Sequence, residues 1–136
     1  MSALEPFWLT RIVVEHIHAE LIEEHGGSFG LRDEGLLESA LARPRQRWAY
    51  EPDTDLCALA AAYAFGLAKN HAFIDGNKRV AFMAAYSFLG ANGLRLVAPE
   101  EEAYAVMIDL AAGELSEEDL ARWLRASSQP VPPAGH

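Results

Sequence analysis

One cysteine, Cys57, stands among 136 residues. An internal disulfide is therefore excluded, and the chain suits a reducing compartment such as the cytosol. Cys57 falls in an apolar helical stretch and reads as a buried structural thiol. No stretch reaches the ~18 uncharged apolar residues of a membrane span. The first residues lack the basic flank and apolar run of a secretion signal, so none is expected. Positive charge is scarce: 11 Lys and Arg face 20 Asp and Glu, for a formal net charge of −9 and a pI near 4.9. That balance argues against direct nucleic-acid binding. Residues 99–119 contain Glu100, Glu101, Glu102, Asp109, Glu114, Glu117, Glu118 and Asp119 and not one Lys or Arg. A solvated face is the simpler account of this run; a surface for a basic partner segment is the sharper one. His16, His18 and His25 share no metal-ligand spacing with the cysteine, so zinc is not expected. Phosphate-loop, dinucleotide and Ser–His nucleophile motifs are also missing.

What is present is a single domain's worth of helical pattern. A 14.9 kDa chain that is 51% hydrophobic buries roughly two-thirds of its unfolded surface, enough for a core without staples. After a lead-in broken by Pro6, in which Phe7 and Trp8 are expected to dock, a helical stripe runs from about Thr10 to Glu24. Gly26-Gly27 stops it. Asp33 is placed to cap a second helix, Glu34 to Ala42, with Arg43-Pro44 favouring an end. Residues 43–53 read as an irregular connection, either an exposed basic loop with Trp48 packed inward or a functional segment. Asp53-Thr54-Asp55 offers caps for a third helix, Leu56 to Lys69. A fourth runs from Asn77 to Ala91, and both are apolar nearly all round, which predicts a buried central pair. Leu94 to Val97 is briefly extended. A fifth helix follows Pro99 and reaches about Ala112. A sixth, Glu117 to Ala126, opens on the capping pattern Ser116-x-x-Asp119. The expected fold is all-α: about six helices around a central antiparallel pair, in one domain over 1–126. Residues 127–136, rich in proline, are expected to be disordered.

The stretch between the central helices, His71-Ala-Phe-Ile-Asp75-Gly76-Asn77-Lys78-Arg79, is not explained by packing. Asn70 suits the left-handed end of the third helix. Gly76 and Asn77 open the fourth, where unpartnered backbone N–H groups and the helix dipole favour an anion. Gly76 lets a phosphate come close to the backbone. Asn77 adds a donor, and Lys78 and Arg79 add full charges, the arginine with a fork that matches phosphate oxygens. Asp75 offers the hard oxygen that Mg²⁺ prefers alongside substrate phosphates. His71 is the one side chain here that ordinarily exchanges a proton near neutral pH, which suits a general base. Phe73 and Ile74 read as apolar plugs that hold the loop on the core.

These nine residues resemble the H-x-F-x-[D/N]-[A/G]-N-K-R motif of the Doc (death on curing) toxins, a branch of the Fic superfamily. His25-Gly-Gly-Ser-Phe-Gly-Leu-Arg-Asp33, the segment 42–50 and Phe88-Leu-Gly-Ala-Asn-Gly93 extend the resemblance over roughly residues 9–126. It implies a compact helical protein that transfers phosphate from ATP to a threonine of elongation factor Tu and arrests translation. Most Fic proteins instead carry H-P-F-x-[D/E]-G-N-G-R and transfer AMP. Lys78 stands where those have glycine, and fills the room that the inner phosphates of ATP would need; in Doc-like proteins the nucleotide is thought to bind reversed. Gly76, by contrast, is shared with the Fic pattern. Carried over, His71 is the base, Asp75 the Mg²⁺ ligand, and Gly76, Asn77, Lys78 and Arg79 the phosphate binders, with Lys69 placed where a further basic residue could assist. In the superfamily a flap near 43–53 aligns the target segment, with Arg43, Arg45, Arg47, Trp48 and Tyr50 as candidates. His18 matches a recurrent histidine, although a hydrogen-bonded structural histidine is the plainer reading. No self-inhibitory [S/T]-x-x-x-E-[G/N] segment is found, so inhibition is expected in trans from a Phd-type antitoxin whose C-terminal segment folds on binding. The alternatives are AMP transfer, or a catalytically silent protein that binds an antitoxin.

Overall fold

The structure, a computed structural model, describes residues 4–131. Its elements in order are α1 (Arg11–His25), α2 (Glu34–Tyr50), α3 (Leu56–Asn70), α4 (Asn77–Ala91), β1 (Leu94–Leu96), α5 (Glu100–Ala111), α6 (Glu117–Ser127) and β2 (Ser128–Pro130). The expected all-α fold is observed, with one small two-stranded sheet added to it.

Side-chain caps start four of the helices. Thr10, Asp33, Asp55 and Ser116 each accept a hydrogen bond from the backbone N–H three residues on, which satisfies one otherwise orphaned donor. α3 is the hub. Its face is Ala and Leu with Tyr63, and from Cys57 to Ala64 every residue is buried. It packs against α2, α4 and α6. The six-residue connection 71–76 returns the chain directly into α4, so α3 and α4 are antiparallel neighbours. The small residues of α3 permit close approach: a β-carbon on Gly66 would meet the backbone of Ala40 on α2 at 3.4 Å. Trp8 docks as expected, stacked on Phe88 and edge-on to Trp48 with centroids 6.0 and 6.1 Å away. Phe7 does not: it is 74% exposed, and only its backbone is held, by the Asn92 side chain.

Three further expectations need correction. The second helix does not end at Ala42. It runs through Pro44 to Tyr50, so no irregular connection or flap exists at 43–50. Proline in a helix interior removes an N–H and costs about 3 kcal/mol in isolation. Here Pro44 is fully buried, and the turns around it are pinned from outside. Arg43 and Arg47 both reach Glu117 at the start of α6, the Arg47 contact at 2.8 Å, and Trp48 packs on Trp8. That arrangement also corrects the picture of a wholly solvated acidic run, since the Glu117 side chain is only 15% exposed. Finally, the tail is not structureless from Ser127. β2 pairs antiparallel with β1, Leu94 opposite Pro130 and Leu96 opposite Ser128, and flanking bonds join Val97 N–H to Ser127 and Val131 N–H to Gly93. Residues 132–136 of the expected tail, like residues 1–3 of the lead-in, lie outside the described residues. Among the described residues no helix is long and apolar enough to cross a membrane.

Candidate active site

The backbone of the α3–α4 connection is held by hydrogen bonds from side chains and from the neighbouring loop backbone. α3 keeps Asn70 as its last residue, and His71 takes the left-handed conformation (φ 49°, ψ 49°) that had been expected of Asn70. Among the described residues it is the one non-glycine with positive φ. The Asn70 amide instead donates to Leu36 O at 2.9 Å and ties the end of α3 to α2. Ala72 turns inward, and its carbonyl accepts from both Arg32 N and Asp33 N, at 2.7 and 3.0 Å. Phe73 is buried, as its role of plug requires; Ile74 is 56% exposed and is not a plug. The apolar hold on the loop comes from buried Ala72 and from Phe73, whose ring stacks on His18 with centroids 3.9 Å apart.

His18 is buried on α1, and its Nε2 lies 2.8 Å from the carbonyl oxygen of Asp75. The plainer expectation for this residue, a hydrogen-bonded structural histidine, describes it, and the bond it makes fixes the motif. The glycine-rich segment after α1 is the loop's second support. Leu31 bridges Phe73 in antiparallel fashion, and Ile74 N–H donates to Gly30 O at 3.1 Å. Gly27 and Gly30 hold φ of +119° and +116°. A β-carbon on Gly27 would lie 2.7 Å from Asp75 Oδ2. Irregular backbone thus flanks the motif at 26–33, rather than at 43–53.

The functional side chains sit on this frame. A cavity of about 330 Å³ is lined by His71, Ile74, Asp75, Gly76, Asn77, Lys78 and Arg79, with Ala68 and Ala111 behind them. Gly76 is the N-cap of α4 at φ 77°, and no side chain caps the helix, so its opening N–H groups lack a side-chain partner beside the cavity that Gly76, Asn77 and Lys78 line. Lys78 and Arg79 add charge there. Among the described residues neither is paired with a carboxylate, whereas Arg11, Arg43, Arg47 and Arg125 all are. Uncompensated cations at an uncapped helix N-terminus make a strong anion site.

Two of the expected phosphate binders are placed otherwise. The Asn77 side chain folds back on Phe73, accepting from its N–H at 3.0 Å and donating to its carbonyl at 2.9 Å. It closes the loop as an internal staple. Lys69 lies outside the cavity lining; its Nζ is 5.2 Å from the centre of the Phe65 ring. Asp75 accepts Ser28 N–H on Oδ2 at 3.2 Å and Gly76 N–H on Oδ1 at 3.0 Å. Each oxygen keeps a further lone pair. Among the described residues no group of three or more His, Cys, Asp or Glu converges. A single carboxylate such as Asp75 fits Mg²⁺ alongside phosphates and water.

Sequence reasoning gave Arg32 no role, and Gly27 only that of helping to stop the first helix. Both lie in the quoted 25–33 segment, but nothing in local spacing says which other loop a loop will touch. A glycine pair followed by Arg-Asp at a helix start was the available signal.

The Fic/DOC family model matches residues 8–89, which include the whole motif. The chain is 37% identical over 109 residues to Protein kinase doc of Escherichia phage P1, covering 80% of this chain and 86% of that one. It is 49% identical over 75 residues to Toxin Doc of Mycolicibacterium smegmatis, 54% of this chain and 57% of that protein.

Proposed function

The chain belongs to the Fic/Doc family, and from that premise we propose that it is a Doc-type toxin that transfers the γ-phosphate of ATP to a protein hydroxyl. The observation that carries this reading is the pair of unpaired cations, Lys78 and Arg79, at the uncapped N-terminus of α4 in one cavity with His71. A phosphoryl transfer asks little covalent chemistry of the protein. It asks for positioning, charge neutralisation and one proton acceptor.

In the proposed reaction the phosphates lie over Gly76, against the first N–H groups of α4. Lys78 and Arg79 neutralise the oxygens of the transferring group. His71 accepts the proton of the target hydroxyl as its oxygen bonds to the γ-phosphorus, and the bond to the β-phosphate oxygen breaks to release ADP. Asn77 keeps the turn rigid through Phe73. Asp75 would hold Mg²⁺, which supplies charge stabilisation to the phosphates when bound. The name of the phage relative, a protein kinase, supports phosphate rather than AMP as the transferred group. The Fic-like Gly76 is the one feature that favours AMP transfer.

The target we propose is a translation factor, elongation factor Tu first, with arrest of translation as the consequence. As in other toxin–antitoxin pairs, a Phd-type antitoxin would restrain the protein in the cytoplasm through a segment that folds on binding. Two experiments test these readings. With ATP labelled at either the γ- or the α-phosphate, only the γ label should enter the target. Growth arrested by expression of the chain should be restored by its antitoxin; a chain harmless on its own contradicts toxicity.

A further inference from the structure

The left-handed turn at His71 has a dedicated clamp. Arg32 stands just ahead of Asp33, the N-cap of α2, and its guanidinium donates twice to the end of α3: Nε to His71 O at 2.7 Å and Nη2 to Asn70 O at 3.1 Å. These are carbonyls that a helix C-terminus leaves without intrahelical partners, and the cation also faces the negative end of the α3 dipole. The backbone N–H of Arg32 adds a third bond, to Ala72 O. One residue thus holds three successive carbonyls, 70, 71 and 72, around the turn.

A non-glycine residue in the left-handed region persists only where its surroundings over-determine it. Here the α3 helix fixes one side of His71 and buried Ala72 the other. The oxygen of His71 itself is held by the Arg32 side chain. Among the described residues Arg32 has no carboxylate partner, so the guanidinium is committed to this backbone.

We propose that Arg32 is a positioning residue that locks His71 in its left-handed turn and so aims the imidazole at the phosphate-binding N-terminus of α4. The catalytic half of this inference rests on the reading of His71 as the proton acceptor; the conformational half does not. A fork of two N–H donors is needed, and lysine, a point charge on a flexible stem, cannot replace it.

The test compares the full chain with Arg32→Ala and Arg32→Lys. The three-bond coupling between the amide and α protons of His71 reports its φ by NMR, without any assay of activity. In both variants it should move away from the wild-type value, or the resonance should broaden by exchange. With elongation factor Tu as the probe target, kcat should fall by about 100-fold, the scale of a small misplacement of a catalytic group. KM for ATP should stay within about twofold, because Arg32 lies outside the residues lining the phosphate cavity. Millimolar guanidinium should restore part of the rate to Arg32→Ala, which a merely destabilised protein would not show. An unchanged His71 coupling in both variants overturns the proposal. A changed coupling in a protein that transfers nothing overturns the phosphotransfer reading, while leaving the clamp established.

Discussion

Replacing Gly27 by alanine should separate backbone strain from damage to the site, provided that Gly26→Ala is measured beside it. Both glycines hold positive φ, +83° at Gly26 and +119° at Gly27, so each substitution bears a strain on the order of 1–3 kcal/mol. Around Gly26 nothing lies within 4 Å of the new β-carbon. At Gly27 that carbon would sit 2.7 Å from Asp75 Oδ2 and 3.1 Å from Ile22 Cδ1. The isoleucine end can swing away, but the carboxylate can yield only by turning and giving up its bond from Ser28 N–H. Such a bond contributes about 1 kcal/mol. With an unfolding entropy of about 2.1 cal/mol/K per residue, a chain of 136 residues loses about 3–4 °C of Tm per kcal/mol. Gly27→Ala should therefore melt at least about 3 °C below Gly26→Ala by circular dichroism. It should also need several-fold more Mg²⁺ for half-maximal transfer, because the displaced carboxylate is the one that would hold the ion. If the two variants melt together and share one Mg²⁺ dependence, the contact between the glycine-rich segment and Asp75 does not organise the site.

Asn77→Ala should lower stability in urea by about 2 kcal/mol, since it strips two hydrogen bonds from Phe73 and leaves its N–H unpartnered. Asn77→Asp, which keeps the acceptor alone, should fall between it and wild type. Lys78→Ala should weaken ATP binding by about 10- to 100-fold in calorimetry, the scale of one charge-assisted contact to phosphate, with Tm nearly unchanged. Asp55 caps α3 and takes a two-pronged contact from Arg125, with Nε to Oδ2 at 2.6 Å. The arginine holds its carboxyl below the usual carboxylate range. A lowered folded-state value means stability that is complete above the unfolded value near 4 and lost as pH falls through the folded one. Asp55→Ala should cost about 1 kcal/mol at pH 7, mostly the cap because the ion pair is solvent-screened, and should flatten the loss of stability below pH 4 in urea titrations.

The helical architecture was legible because its signals are local. Asp33, Asp55 and Ser116 were recognisable as caps, and all three cap. The unbroken apolar character of α3 and α4 marked them as the central pair. The extent of α2 was not legible, because a local rule, helix-breaking by Arg43-Pro44, was overridden by partners 70 residues or more along the chain: Glu117 clasping Arg43 and Arg47. The β1–β2 pairing was hidden in the same way: Leu94 to Val97 was recognisable as extended, but Ser128-Gln-Pro130 has no apolar alternation to mark it as the partner strand. At the site, the residue types suggested phosphate chemistry but not which atoms each would engage. Asn77 and Arg32 both bear donors suited to phosphate, yet their amide and guanidinium bind backbone. Composition cannot distinguish a donor that meets ligand from one that holds the loop that does.

The central claim is γ-phosphate transfer dependent on His71, and intact-mass spectrometry tests it most directly. The purified protein is incubated with ATP, Mg²⁺ and elongation factor Tu, alongside a His71→Ala control. The account predicts that the target gains the mass of one phosphate with wild type and nothing with the variant. A gain the mass of AMP, or a phosphate gain that survives His71→Ala, would contradict it.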